Sequence, residues 1–216
     1  LLGYPSTLPV TMDEMLHHAR AVGRTRKRAL LIGDMPWMSY HVSPEEALRN
    51  AARFVREAGA DAVKLEGGAR RMPAIRAIRD AEIPVMGHLG LTPQSVLNMG
   101  GYKVQGRKQA AAEALVSDAK AIVDAGVFAM VLEGIPRELA ARITSEVEVP
   151  TIGIGAGPDC DGQVLVYHDL LGMLPEESPK FVRRYAEIRK QQVEAVRRWS
   201  NDIREGAFPS DEESYG

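Results

Sequence analysis

Ala62-Val63-Lys64-Leu65-Glu66-Gly67-Gly68 is a short apolar run interrupted by one lysine, closed by an acid and released by two glycines. Its length suits a strand and is too short for a helix. The pattern recurs on both sides of it. Upstream, Ala29-Leu30-Leu31-Ile32-Gly33 is closed by Asp34; downstream, Ile83-Pro84-Val85-Met86-Gly87 is closed by His88. Val127-Phe128-Ala129-Met130-Val131-Leu132 then ends at Glu133, and Val149-Pro150-Thr151-Ile152-Gly153-Ile154 and Val164-Leu165-Val166-Tyr167 follow. Continuously apolar runs of this kind belong to strands covered on both faces, as in a parallel sheet.

The intervening segments carry helix signals. Ser43-Pro44-Glu45-Glu46 supplies an N-cap serine, a proline at the first helical position and an acid able to close a capping box, and Gly59 ends that helix. Thr11-Met12-Asp13-Glu14 opens a first helix in the same way, and Pro136 starts another. Strands alternating with helices define an α/β fold. The periodicity suits either an open sheet or a (β/α)8 TIM barrel, which needs eight strands and usually about 250 residues. The first element after Leu1 is a helix with no strand before it, so a barrel reading expects the first one to two strands to lie outside this chain. The expected domain is a single one over residues 1–216, with a terminal helix over about 180–205 and a polar tail over 208–216.

Composition narrows the function. The 216 residues carry 27 Lys+Arg against 29 Asp+Glu, a net charge of -2, which provides no basic field for nucleic acid. No apolar run is long enough for a membrane helix. Cys160 is the only cysteine, so no intramolecular disulfide forms and a cytoplasmic setting is expected.

The polar residues in the apolar runs point to chemistry. Parallel α/β folds build their sites at the carboxyl ends of strands, and four successive runs here end in Asp34, Glu66, His88 and Glu133. Each alone reads equally well as a surface residue at a strand exit; jointly they do not. Lys64 and Glu66 are two apart on one strand and share a face. An inward lysine needs a partner, and it reads either as half of a structural ion pair or as a cation for an anionic substrate. Asp34 and Glu66 offer hard oxygen ligands suited to Mg2+ rather than zinc; paired carboxylates acting without a metal, as in glycosidases, compete with that reading. The segment Gly153-Ile154-Gly155-Ala156-Gly157 lacks nucleotide-binding spacing. The long connection Gly100-Gly101-Tyr102-Lys103-Val104-Gln105-Gly106-Arg107 reads as a lid whose Lys103 and Arg107 could meet an anionic cofactor tail. His17, His18, His41 and Cys160 receive no role, and Trp37 and Trp199 read as packing residues. His168-Asp169 is expected to end the last strand, with Asp169 bonded to a neighbouring loop or turned inward to the site.

Several of these words occur together in one family. Ser6-Thr7-Leu8-Pro9-Val10-Thr11, Val63-Lys64-Leu65-Glu66-Gly67-Gly68, Gly87-His88-Leu89-Gly90-Leu91-Thr92-Pro93-Gln94, the 100–107 segment, Val131-Leu132-Glu133 and Ile152-Gly153-Ile154-Gly155-Ala156-Gly157 resemble the ketopantoate hydroxymethyltransferases, in order, over about residues 2–210. The resemblance implies a (β/α)8 barrel of the phosphoenolpyruvate/pyruvate type, a Mg2+ cofactor, homo-oligomeric assembly and a place in pantothenate biosynthesis. It implies transfer of a one-carbon unit from the co-substrate 5,10-methylenetetrahydrofolate to 3-methyl-2-oxobutanoate. By motif, Asp34 and Glu66 are metal carboxylates, Asp34, Lys64 and His88 are substrate-binding, and Glu133 is the catalytic base. The family's Gly-Asp-Ser metal motif has no counterpart in this chain, and Pro5 stands where many relatives carry an acid. A Mg2+-dependent carbon–carbon lyase of the same superfamily and a catalytically inert barrel are the alternatives.

Overall fold

A computed structural model describes residues 2–174 and 178–216. They form two compact units, residues 2–164 and 165–216.

The first unit opens with helix α1 (Met12–Thr25), where a capping box forms: the Thr11 hydroxyl accepts from Glu14 N, and Glu14 Oε2 accepts from Thr11 N at 2.8 Å. Strand β1 (Ile32–Asp34), helix α2 (Pro44–Ala58) and strand β2 (Ala62–Lys64) follow. In α2 the Ser43 hydroxyl accepts from Glu46 N at 3.1 Å, and the chain leaves through Gly59 at φ +67°, a left-handed conformation suited to glycine. Next come α3 (Met72–Asp80), β3 (Val85–Gly90), the one-turn α4 (Val96–Met99), α5 (Gln109–Ala125), β4 (Ala129–Glu133), α6 (Arg137–Glu146), β5 (Thr151–Ile154) and β6 (Gly162–Gln163).

All six strands are parallel and pair in the order β1-β2-β3-β4-β5-β6. A doubly wound sheet reverses its strand order at a switch point. Here each strand adds to the same growing edge, which is the winding of a barrel. The described strands therefore form a six-stranded parallel arc of the α/β class; β1 and β6 do not pair with each other, so an eight-stranded closure is not made.

Packing against the arc is tight where glycine permits it. A Cβ on Gly33 would come within 2.4 Å of the Phe54 ring, so α2 packs directly onto the β1 backbone. Phe54, Ile75, Ile78, Ile122, Leu132 and Ile143 are fully buried between helices and sheet. Each completely buried apolar side chain of this size contributes about 1.5–3 kcal/mol.

Four local expectations are corrected. The run over 164–167 is not a strand: pairing stops at Gln163, and Val166 precedes the one-turn helix α7 (Tyr167–Leu170), because Val164, Val166 and Tyr167 have no covered face to bury. His168 and Asp169 thus lie in α7 rather than at a strand end. In the second unit the terminal helix α8 spans Ile188–Glu205 rather than starting near 180. Before α8, Tyr185 N donates to Leu170 O at the end of α7, a bond that competes with helix there, and Ile188 N and Arg189 N at the start of α8 donate to Leu171 O and Gly172 O. No residue of α8 is buried, and Trp199 and Trp37, expected to be packing residues, are both exposed. No helix among the described residues is long and apolar enough to cross a membrane.

Candidate active site

The strand register decides which side chains meet. Asp34 pairs with Lys64, Lys64 with Met86, and His88 with Val131. Register partners on neighbouring strands point to the same face, and so do residues two apart on one strand. Asp34, Lys64, Glu66, His88 and Glu133 consequently emerge on one face, at the carboxyl ends of β1 to β4.

Their contacts are continuous. Lys64 Nζ lies 2.6 Å from Asp34 Oδ1, 3.2 Å from His88 Nδ1 and 4.0 Å from Glu66 Oε1. His88 Nδ1 is 3.8 Å from Glu66 Oε1, and on the other edge of the ring His88 Nε2 is 3.1 Å from Glu133 Oε2. Every residue assigned to the site from sequence is in this cluster. His88 and Glu66 are buried, Lys64 and Glu133 keep 15% of their side-chain surface, and Asp34 keeps 46%. Asp34 therefore faces the opening and the others lie behind it.

Electrostatics follow from burial and pairing. Burial works against the Lys64 ammonium, but Asp34 and Glu66 outweigh it and hold its pKa above the ordinary lysine value. Burial also pushes the Glu66 carboxyl above the usual carboxylate range, and the Lys64 ammonium offsets this only in part. A buried acid of this kind is stabilised as a carboxylate only while its donors stay in place.

Two residues that sequence reasoning passed over supply those donors. The Tyr40 hydroxyl accepts from Glu66 N at 3.2 Å and donates to Gln94 Oε1 at 2.6 Å. Gln94 N donates to Glu66 Oε2 at 3.0 Å, and Gln94 Nε2 donates to Met35 O at 2.8 Å. One oxygen of Glu66 is thereby held away from the cluster and the other is turned toward it. Gln94 closes the Gly87–Gln94 motif, but only its burial marks it as more than a loop residue.

The donor set suits a hard divalent cation. Mg2+ is usually held by one or two carboxylates and completes its shell with water and substrate. Asp34 and Glu66 provide two from neighbouring strands, and Asp34 Oδ1 is shielded from solvent beside Lys64 Nζ. Among the described residues no group of three or more His, Cys, Asp or Glu side chains is placed to hold a metal ion, so an ion held by Asp34 and Glu66 would need water or substrate for the rest of its shell.

The loop over 100–107 is anchored, with Gln105 N donating to Gly134 O at 2.9 Å and Gly106 packed against Leu115 and Leu139, while Lys103 and Arg107 are exposed.

Comparison with known proteins gives a consistent answer. The model of the ketopantoate hydroxymethyltransferase family matches residues 1–211. The 3-methyl-2-oxobutanoate hydroxymethyltransferase of Koribacter versatilis (strain Ellin345) is 60% identical over all of this chain, which covers 73% of that protein. The enzyme of the same name from Moorella thermoacetica is 56% identical, with 100% and 80% covered. Among solved structures, a proposed phosphonomutase from Burkholderia cenocepacia J2315 superposes with a TM-score of 0.54 at 14% identity, over 91% of this chain and 79% of that one. A proposed lyase or mutase from the same organism gives 0.51 at 17%, over 96% and 73%. At such identity the two structures bear on fold alone.

Proposed function

This chain belongs to the ketopantoate hydroxymethyltransferase family, and from that premise we propose that it transfers a one-carbon unit from 5,10-methylenetetrahydrofolate to 3-methyl-2-oxobutanoate, in pantothenate biosynthesis. The observation that carries the reading is the unbroken Asp34–Lys64–His88–Glu133 chain of contacts at one end of the arc, with Glu66 behind it.

The reaction needs a proton removed from C3 of a 2-oxo acid, and that C–H is a poor acid in water. Lys64, kept protonated by its acid neighbours, binds the oxo-acid carboxylate or keto oxygen and counters the charge that builds there. Glu133 is the base: it takes the C3 proton, and the C–H electron pair becomes the enolate. His88 positions Glu133 from its Nε2 edge. The enolate carbon bonds to the methylene carbon of the folate as one of its two C–N bonds breaks. Water then replaces the other C–N bond with C–OH. The proton taken by Glu133 together with one proton of that water goes to the two folate nitrogens, so that tetrahydrofolate leaves. Asp34 and Glu66 would hold Mg2+, which when bound supplies Lewis-acid stabilisation of negative charge on the substrate oxygens. The reading includes a cytoplasmic setting, supported by the lone cysteine, and homo-oligomeric assembly, supported by the exposed apolar residues Val196, Trp199 and Ile203 of α8.

The test is product formation: the full chain with both substrates and Mg2+ should yield 2-dehydropantoate and tetrahydrofolate. Enolisation of the oxo acid, seen as C3 deuterium exchange, without any folate-dependent product would point instead to a lyase.

A further inference from the structure

Arg71 is a guanidinium beside the site with no acidic partner among the described residues. It ends the short turn Ala69–Arg71 just beyond Gly67 and Gly68, at the same carboxyl end of β2 that delivers Glu66. Gly67 has φ +116°, and a Cβ there would stand 3.1 Å from Arg71 Cγ, so the arginine stem lies across bare backbone. Its guanidinium carbon is 5.4 Å from the centroid of the Tyr40 ring, the residue whose hydroxyl tip accepts from Glu66 N. Arg71 is thus held over the flat of a ring whose far end reaches the catalytic cluster.

Its neighbour does not neutralise it. His41 stacks on Tyr40 with ring centroids 4.2 Å apart, and its Nδ1 is buried without a hydrogen-bond partner. Burial, and then the charge of Arg71, lower the His41 pKa to about 4, so the imidazole is neutral at working pH. The Arg71 charge is thus left unmet at the rim, beside a neutral ring whose Nδ1 is buried.

We infer that Arg71, flanked by His41, is a second anion subsite that takes a carboxylate of the folate's glutamyl tail. The inference rests on the proposed transferase function. That reaction brings two anionic molecules to the site. The oxo acid is small and carries one carboxylate, for which Lys64 lies inside the cluster. The folate is long: its one-carbon unit must reach Glu133 while its carboxylates extend outward. A partly covered, planar guanidinium at the rim matches a carboxylate with two parallel hydrogen bonds. Lys103 and Arg107, the cations expected from sequence to meet such a tail, are exposed, and fully solvated charges contribute little.

The experiment compares 5,10-methylenetetrahydrofolate with 5,10-methylenetetrahydropteroate, which lacks the glutamyl group, on the full chain. The wild-type protein should show a KM about tenfold lower for the folate, a preference worth about 1.4 kcal/mol. R71M should raise the folate KM to the pteroate value and erase the preference, R71K should keep part of it, and the oxo-acid KM should stay within twofold. No preference in the wild-type protein overturns the inference without recourse to any variant. A rise in oxo-acid KM in R71M, or loss of the preference in K103Q rather than R71M, overturns it as well. Absence of any folate-dependent product would instead bring down the transferase reading and the subsite with it.

Discussion

Lys64 Nζ lies 3.2 Å from His88 Nδ1, and because an ammonium has only protons to offer, that ring nitrogen must accept. The neutral imidazole then carries its proton on Nε2, 3.1 Å from Glu133 Oε2. One lysine therefore faces Asp34 directly and, through the tautomer of His88, turns a proton donor toward the proposed base.

Glu133→Gln tests that base. The amide keeps the size of the side chain and cannot accept the C3 proton, so turnover should fall about 10²–10⁴-fold. The oxo acid should still bind with nearly unchanged affinity, since Lys64 remains. Isothermal titration beside single-turnover kinetics separates the two; weakened binding with chemistry intact per bound substrate would reassign Glu133.

Tyr40→Phe tests the brace behind Glu66. The change strands the Glu66 N–H and Gln94 Oε1 in a buried setting, at a cost of about 1–3 kcal/mol. For a chain of this size the melting temperature should drop by roughly 3–10 °C. A melt that superposes on the parent's would show that the hydroxyl is dispensable.

Gly33→Ala tests the approach of α2 to β1. The added methyl would meet Phe54 carbons at 2.4 and 2.6 Å. The ring is fully buried and has nowhere to go, so overpacking should cost about 1–3 kcal/mol. Phe54→Leu in the same chain should recover part of that loss by making room. Equal denaturant midpoints for parent and single variant would contradict the packing.

His41 predicts a pH effect. Its folded pKa of about 4 lies below its ordinary 6.5, so the unfolded chain binds the extra proton first. Stability contributed by the neutral ring is complete above 6.5 and is lost as pH falls toward 4. Allowing for its partial exposure, the loss is about 1–2 kcal/mol. Urea midpoints between pH 7 and 4 should fall less steeply in His41→Asn, and the ring resonance should not titrate until near pH 4.

Much of the site is legible in the sequence. Asp34, Glu66, His88 and Glu133 close four successive apolar runs, and though each alone suits a strand exit, the four together point to a site; β3 in fact continues past His88 to Gly90. The caps of α1 and α2 are legible too, because a cap is a matter of three or four consecutive residues. The family resemblance adds roles for these residues that spacing alone leaves open.

Other features depend on distance along the chain. The Tyr40–Glu66–Gln94 brace joins loops 26 and 28 residues apart, and nothing local to Tyr40 or Gln94 declares it. The end of pairing at Gln163, the late start of α8 and the exposure of Trp199 are likewise set by which surfaces find cover.

The amino-acid order by itself determined the alternation of strand and helix and the placing of ionisable groups at strand ends, since backbone sterics and hydrophobic period act over a few residues. Only the tertiary structure decided the unreversed strand order, the shared face of the five candidate-site side chains and the unneutralised Arg71. Those depend on register and on the partners each polar group meets after long loops close, and no short window of sequence contains them.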